Sequence, residues 1–417
     1  MKKMIVLLFM GLFVFAGLPS ISNATSNEEL VQQIKILQQK LTKLENEVEG
    51  QRKAVVETRK KITEIEPIGR NIMSDKSGNI NKFLKTGLKG LNLNLGASTG
   101  YFYATNSGTD AAGNDVSNDK FIVSNFMVGV DYQPNNLPIS FSGAYGGTAT
   151  PSLFDAPNDA DNQPNMDIEY ADFKLAPCHN FSLELGLITP NAGYEDTYTY
   201  NNKNITVGAL ASQQPYNAYG TRATISIKGL FDIYAGFYED RKDNDEYTIN
   251  DGTLKGSPGN SWEAGISGTL LDTDYTVYYY NVNNMRKLFG FVLEKTIANV
   301  YMAFDADYWR WNNKWDKYYG DDRSSLGASL YISPKFSNIE LPLRIEYINQ
   351  GYSKIYTDSA KADNIFALTF TPTYNFSDSA YFRIEGAYIN ADDSFTDGSG
   401  NLRDSRYYFA SEFGLRF

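Results

Sequence analysis

From about residue 85 to the last residue, apolar and polar side chains alternate with a period of two, in segments broken by turn-forming clusters. Neighbours in an extended strand point to opposite faces, so the pattern describes a long sheet with one apolar and one polar face. Sixteen candidate strands can be marked, from 88–103 to 405–417. Most run about ten residues, the length a tilted strand needs to cross hydrocarbon. No run of eighteen apolar residues follows the N-terminal leader, which excludes spanning helices. A mean hydropathy of −0.39 fits a membrane barrel, because every second residue faces water. The 30 Tyr and 25 Phe suit the same case, although composition alone also allows a secreted β-protein.

The connections fall into two classes. Pro134-Asn135-Asn136, Cys178-His179-Asn180, Gly229 and Ser377-Asp378 read as tight turns. Long polar loops are expected near 104–118, 150–166, 190–218, 240–259, 312–323, 351–362 and 391–404. Short and long alternate, except at 284–285, where a short link stands in a long one's place. Membrane barrels have this asymmetry, with short periplasmic turns and long external loops. The final strand places Tyr407, Phe409, Phe413, Leu415 and Phe417 on one face, and the terminal Phe417 resembles the signal read by barrel-insertion machinery. The expected fold is therefore an all-β antiparallel transmembrane barrel of about sixteen strands, preceded by a periplasmic α-helical coiled coil.

That extension has its own period. Lys2 and Lys3, an apolar stretch Ile5–Gly17 and the small residues Ser22-Asn23-Ala24 predict a signal peptide over 1–24. Over 25–66, Ile34, Leu41, Val48, Val55 and Ile62 recur every seven residues. Leu30, Leu37, Leu44 and Ile65 fill the second seam, interrupted by Gln51 and Thr58. Such a helix would be roughly 57 Å long. Pro67 and Gly69 end it, leaving a linker over 67–84 and the barrel over 85–417. The seam predicts a homo-oligomer. Its Ile/Val and Leu pattern alone favours a parallel dimer, whereas porins more often assemble as trimers, the number favoured here.

Alternation also assigns the faces of the wall. A Lys or Arg at mid-bilayer on the lipid face costs about 2–4 kcal/mol, so the charged faces must point inward. The expected pore-lining set is Asp172, Lys174, Glu184, Arg222, Lys228, Asp232, Arg344, Glu346, Arg383, Glu385 and Glu412. Glu195 and Asp196, with Tyr194, Tyr198 and Tyr200, join it if loop 190–218 folds into the pore. An external cover loop is the other reading.

Without the two leader lysines the chain holds 36 basic and 49 acidic residues, a balance of −13. That argues against a nucleic-acid partner. Residues 80–417 hold 26 basic and 40 acidic, and this predicts a mild cation preference. Acidic loop residues such as Asp240, Asp321 and Asp392 can also bridge to lipopolysaccharide through divalent ions. His179 is the single histidine, so neither a Ser–His–Asp triad nor a histidine-ligated zinc site has raw material. Asp243-Asn244-Asp245 starts like a calcium loop, but Leu254 stands where a bidentate Glu is needed. No metal, cofactor or enzymatic activity is expected.

The stretch Gly186-Leu187-Ile188-Thr189-Pro190, followed by Gly193-Tyr194-Glu195, resembles the strand-then-loop signature of the putative β-barrel porin-2 (OmpL-like) family. Pro215-Tyr216-Asn217 leading into Gly220-Thr221-Arg222-Ala223-Thr224 resembles its continuation. The resemblance implies an outer-membrane pore with no defined substrate. The expected partners are outer-membrane lipid, lipopolysaccharide and the barrel-assembly machinery. The coiled coil departs from a plain barrel and suggests an alternative role, a structural protein that tethers or spaces the envelope.

Overall fold

The computed structural model describes residues 90–107, 119–134, 137–154, 163–215, 217–227, 230–239, 246–249, 252–255, 261–282, 286–311, 324–349, 364–397, 399 and 401–417. The expected signal peptide, coiled-coil seam and linker lie outside the described residues.

Seven strands open the wall: β1 (Leu91–Ala104), β2 (Asp119–Tyr132), β3 (Ile139–Thr148), β4 (Asp167–Cys178), β5 (Phe181–Ile188), β6 (Ala218–Ile227) and β7 (Phe231–Glu239). A small hairpin of β8 (Glu246–Ile249) and β9 (Gly252–Lys255) stands apart from the main sheet. The wall continues through β10 (Ser261–Leu270), β11 (Thr273–Val282), β12 (Arg286–Ile297), β13 (Val300–Trp311) and β14 (Ser324–Phe336). It ends with β15 (Ile339–Glu340) and β16 (Leu343–Asn349), β17 (Asn364–Phe370) and β18 (Thr373–Ser377), β19 (Ala380–Thr396) and β20 (Leu402–Arg416).

The segments β15/β16 and β17/β18 are each one barrel strand interrupted by a proline, Pro342 and Pro372. Proline has no N–H to give the ladder. Its carbonyl still serves: Thr371 N–H donates to Pro342 O at 2.9 Å and Ile384 N–H to Pro372 O at 3.0 Å. Counted this way the wall has sixteen strands, every pair antiparallel. It closes where β20 pairs with β1, from Gly96↔Arg416 to Ala104↔Tyr408. Leu95 and Phe417 exchange both backbone hydrogen bonds at the foot of this seam, 3.2 and 2.8 Å. The last residue is thus part of the closure.

The faces separate as alternation requires. On β12, Leu288, Gly290 and Val292 point inward and are buried, while Phe289, Phe291 and Leu293 face out. Phe121 is 76 % exposed and Phe237 65 %, against 2 % for Tyr234 and none for Trp309. Large apolar side chains that are exposed outside, around an interior rich in buried charge, invert the order of a water-soluble protein. Among the described residues no helix is long and apolar enough to cross a membrane; the strands are what span it.

One connection differs from expectation. The loop expected over 391–404 is mostly strand: β19 runs to Thr396 and β20 starts at Leu402. Polar residues are free to extend a hairpin into water beyond the lipid, so the ladder, interrupted by an irregularity after Asn390, resumes past Asp392-Asp393 at Phe395↔Arg403. The turn between β10 and β11 is made by Leu271 and Asp272, with φ of +53° and +56°. Positive φ at both central residues is the geometry that matches the twist of a tight hairpin.

Candidate functional site: the barrel interior

The third long connection, 189–217, does not cap the barrel. It enters the interior, and the wall holds its backbone. Two Arg-x-Glu pairs hold its middle, Arg344/Glu346 on β16 and Arg383/Glu385 on β19. With one residue between them, both members of a pair face inward from one strand. The arginines donate to loop carbonyls and the glutamates accept from loop amides.

Arg344 Nη1 donates to Thr206 O at 2.8 Å and to the Glu195 carboxylate at 2.6 Å, while its Nε lies 3.0 Å from Glu346 Oε2. Glu346 Oε1 accepts from Leu210 N–H at 3.1 Å. Arg383 donates to the carbonyls of Asn202, Asn204 and Thr199 at 3.0, 3.2 and 2.9 Å, and to Glu412 at 2.6 Å. Glu385 accepts from Ile205 N–H at 2.6 Å, Thr206 N–H at 3.0 Å and Thr206 Oγ1 at 2.5 Å. Buried backbone groups need partners, and here the wall's charges supply them.

Other strands fasten the loop elsewhere. Asn125 on β2 donates to Thr199 Oγ1 at 2.9 Å. On β13, Asp305 accepts from Tyr194 N–H at 3.1 Å and from Gln214 Nε2 at 2.9 Å, and Gln214 also reaches Asp307 at 2.8 Å. Glu263 on β10 accepts from Asn191 N–H at 3.1 Å. Lys203 pairs with Glu340. A parallel bridge between Ser152 and Val207 joins the loop to its neighbour. Apolar packing adds to this: Ile205, Ala209 and Leu210 share a cluster with Leu153, Ile348, Ile365, Ile389 and Tyr408.

A row of alternating charge crosses β4 to β10. Lys174 lies 3.3 Å from Glu184, Glu184 lies 2.6 Å from Arg222, and Arg222 lies 3.5 Å from Glu263. The register places Gly236 of β7 between Arg222 and Glu263, where it has no side chain to separate them. The Tyr238 ring lies over that glycine and donates its hydroxyl to Glu263. Gly290 acts likewise on β12, letting the Tyr278 hydroxyl reach Asp307 across it at 2.6 Å.

The expected site residues therefore divide. Glu184, Arg222, Arg344, Glu346, Arg383, Glu385 and Glu412 face inward and are buried in these contacts. Glu195 is part of the Arg344 anchor. Asp196 instead braces the loop's own turn, accepting from Tyr198 N–H and Asn201 Nδ2. Asp172, Lys174 and Asp232 face inward with partial exposure, and Lys228 lies outside the described residues. Glu263, Asp305, Asp307, Asn125 and Asp131 were missed, although each except Asn125 stands on the polar face of its strand's alternation.

Where the loop does not reach, the inner wall stays polar and partly exposed: Asn94, Asp131, Ser140, Ser142, Asp172 and Lys174, all on β1–β4. Among the described residues no three His, Cys, Asp or Glu side chains are grouped to hold a metal ion.

Known proteins place this architecture. The fold is similar to the outer membrane channel DcaP of Acinetobacter baumannii, with 12 % identity, TM-score 0.52, and 78 % of this chain and 97 % of that one covered. It is also similar to an anion-selective porin from Comamonas acidovorans, with 13 % identity, TM-score 0.52, and coverage of 78 % and 99 %. The trimer form of OmpT from Vibrio cholerae gives 12 % identity, TM-score 0.50, and coverage of 78 % and 99 %. These likenesses are of fold. No curated protein matches the sequence. The model of the "putative beta-barrel porin-2, OmpL-like" family matches residues 90–417, and the chain belongs to that family of outer-membrane porins.

Proposed function

We propose that the barrel passes small hydrophilic solutes and ions by passive diffusion, past the polar groups of β1–β4 that the clamped loop leaves uncovered. The observation that carries this reading is the row of inward, partly exposed groups near the periplasmic ends of β1–β4, from Asn94 to Lys174. A sixteen-stranded barrel is too wide for side chains alone to fill. The loop takes up part of that space, and the inner wall below it on β1–β4 keeps hydrophilic groups in reach of water.

A mild cation preference follows from the charges along that path. Lys174, Arg222, Arg344 and Arg383 are each paired with carboxylates, so beside that row Asp131 and Asp172 bias the sign. In this reading the apolar outer face takes membrane lipid, the acidic external loops hold lipopolysaccharide through divalent ions, and Phe417 is read by the barrel-assembly machinery. The periplasmic coil holds protomers together, and the trimer form of the OmpT structure supports three of them. Purified protein in planar bilayers tests the proposal. Stable conductance steps, with a reversal potential favouring cations in asymmetric salt, are expected; silent membranes at saturating protein would overturn it.

A further inference from the structure

The outer face carries two basic side chains where a lipid-facing wall should have none without a partner. Lys287 on β12 and Arg310 on β13 stand directly opposite each other in the ladder, and both are exposed. Among the described residues neither has an ion-pair or hydrogen-bond partner. Like charges in directly opposed positions destabilise a strand pair, so the fold holds a repulsion that an anion between them would remove.

Their height and surroundings say what kind of anion. Along the outward face of β12, Leu293, Phe291 and Phe289 separate Lys295, which donates to Leu271 O at the periplasmic turn, from Lys287. The eight steps from Lys287 to Lys295 rise about 27 Å along the strand, or about 19–22 Å across the membrane once tilted, most of the ~25 Å apolar band of such barrels. Lys287 and Arg310 therefore sit at the outer edge of the hydrocarbon. Directly below them in register lies a row of Tyr279, Phe289, Tyr308 and Leu326. Phe289 and Leu326 are about half exposed, and the Tyr279 and Phe289 rings meet edge to face at 4.6 Å.

We propose that Lys287 and Arg310 bind the phosphorylated headgroup of a lipid in the outer leaflet. Opposed Cβ atoms in a ladder are about 5 Å apart, so an ammonium and a guanidinium there can share one phosphate. The guanidinium fork matches its oxygens. The aromatic and leucine row beneath the pair runs down into the apolar band, where acyl chains lie. A free phosphate would use only the charges; a lipid uses both rows. The inference rests on the outer wall facing lipid and not on conduction.

The test is a titration of the full-length chain in neutral detergent with diphosphoryl lipid A, read by native mass spectrometry. Binding should weaken roughly tenfold in the K287Q/R310Q double variant. Lys287→Glu should lose it equally, while its new attraction to Arg310 keeps the barrel folded, as judged by unchanged heat-modifiable gel mobility. Arg403→Gln, at an outward basic residue already paired with Asp397, should bind like the parent. Undiminished binding by Lys287→Glu, displacement of the lipid by millimolar inorganic phosphate, or equal binding of phosphatidylcholine would each overturn the proposal. Unchanged channel steps in the same variants would keep its failure distinct from that of the conduction reading.

Discussion

Arg344 on the wall and Glu195 in the loop meet at 2.6 Å across 149 residues of sequence, with the guanidinium wholly buried. Removing one partner of a buried pair leaves the other charge uncompensated, at a cost of about 3–5 kcal/mol. Arg344→Ala should lower the stability of the detergent-solubilised barrel by that order in urea titrations. It should also raise single-channel conductance, because the loop loses its central anchor. A variant with parental conductance and stability would remove the clamp from this account.

Glu385→Ala addresses the backbone side of the same grip. The carboxylate satisfies the amides of Ile205 and Thr206. An unsatisfied buried donor costs about 1–3 kcal/mol, so the two amides should exchange hydrogen much faster in the variant while the β19–β20 ladder keeps its protection. Glu385→Gln retains one acceptor oxygen and should fall between the two.

Selectivity is open to single changes where the loop leaves the wall uncovered. Asp131→Asn and Asp172→Asn should each move the reversal potential in a salt gradient toward zero, and both together should move it further. Lys174→Gln should shift it toward stronger cation preference. Glu346→Gln, buried under the loop, should affect stability more than selectivity.

Deleting residues 28–66 separates assembly from conduction. The variant should give fewer oligomers on native gels and unchanged conductance per pore. Unaltered oligomers together with lost envelope attachment would favour the tether role instead.

The tip of the β19–β20 hairpin, outside the membrane, provides a test of pH. Asp397 accepts from the backbone N–H groups of Asn401 and Ser399, both at 2.9 Å, and from the Arg403 side chain. These donors, the Asn401 N–H above all, hold its carboxyl well below the ordinary range. A carboxyl depressed by folding adds stability that is complete above its unfolded value, about 3.9, and is lost as pH falls through the lower folded value. The Asn401 amide should therefore stay protected at pH 4 and lose protection only in stronger acid, followed by NMR. Asp397→Asn should abolish that dependence.

The wall was legible because the membrane enforces a rule on every second residue. Phe181, Leu183 and Leu185 against Ser182 and Glu184 can be sorted with no coordinates, and the inward charges on β16 and β19 followed from the same rule. The loop's destination was not legible. Its anchors are mostly backbone atoms, such as the amides of Ile205 and Leu210, which leave no mark on composition. Their acceptors lie 180 and 136 residues away. Gly236 and Gly290 escaped notice for a related reason: they matter by leaving room for Tyr238 and Tyr278. The strand tips beyond Asn390 were misjudged because the alternation rule stops where lipid stops.

Because the loop is fixed at once to Asn125 on β2, Asp305 on β13 and Glu385 on β19, it works as a crossbeam inside the tube. A hollow sheet cylinder flattens easily under sideways load, whereas one strutted to three separated points of its circumference resists becoming oval. Lateral pressure from the surrounding bilayer is then borne partly by hydrogen bonds in the middle of the passage. Weakening those bonds to widen the bore should also soften the wall, so throughput and shape cannot be adjusted separately.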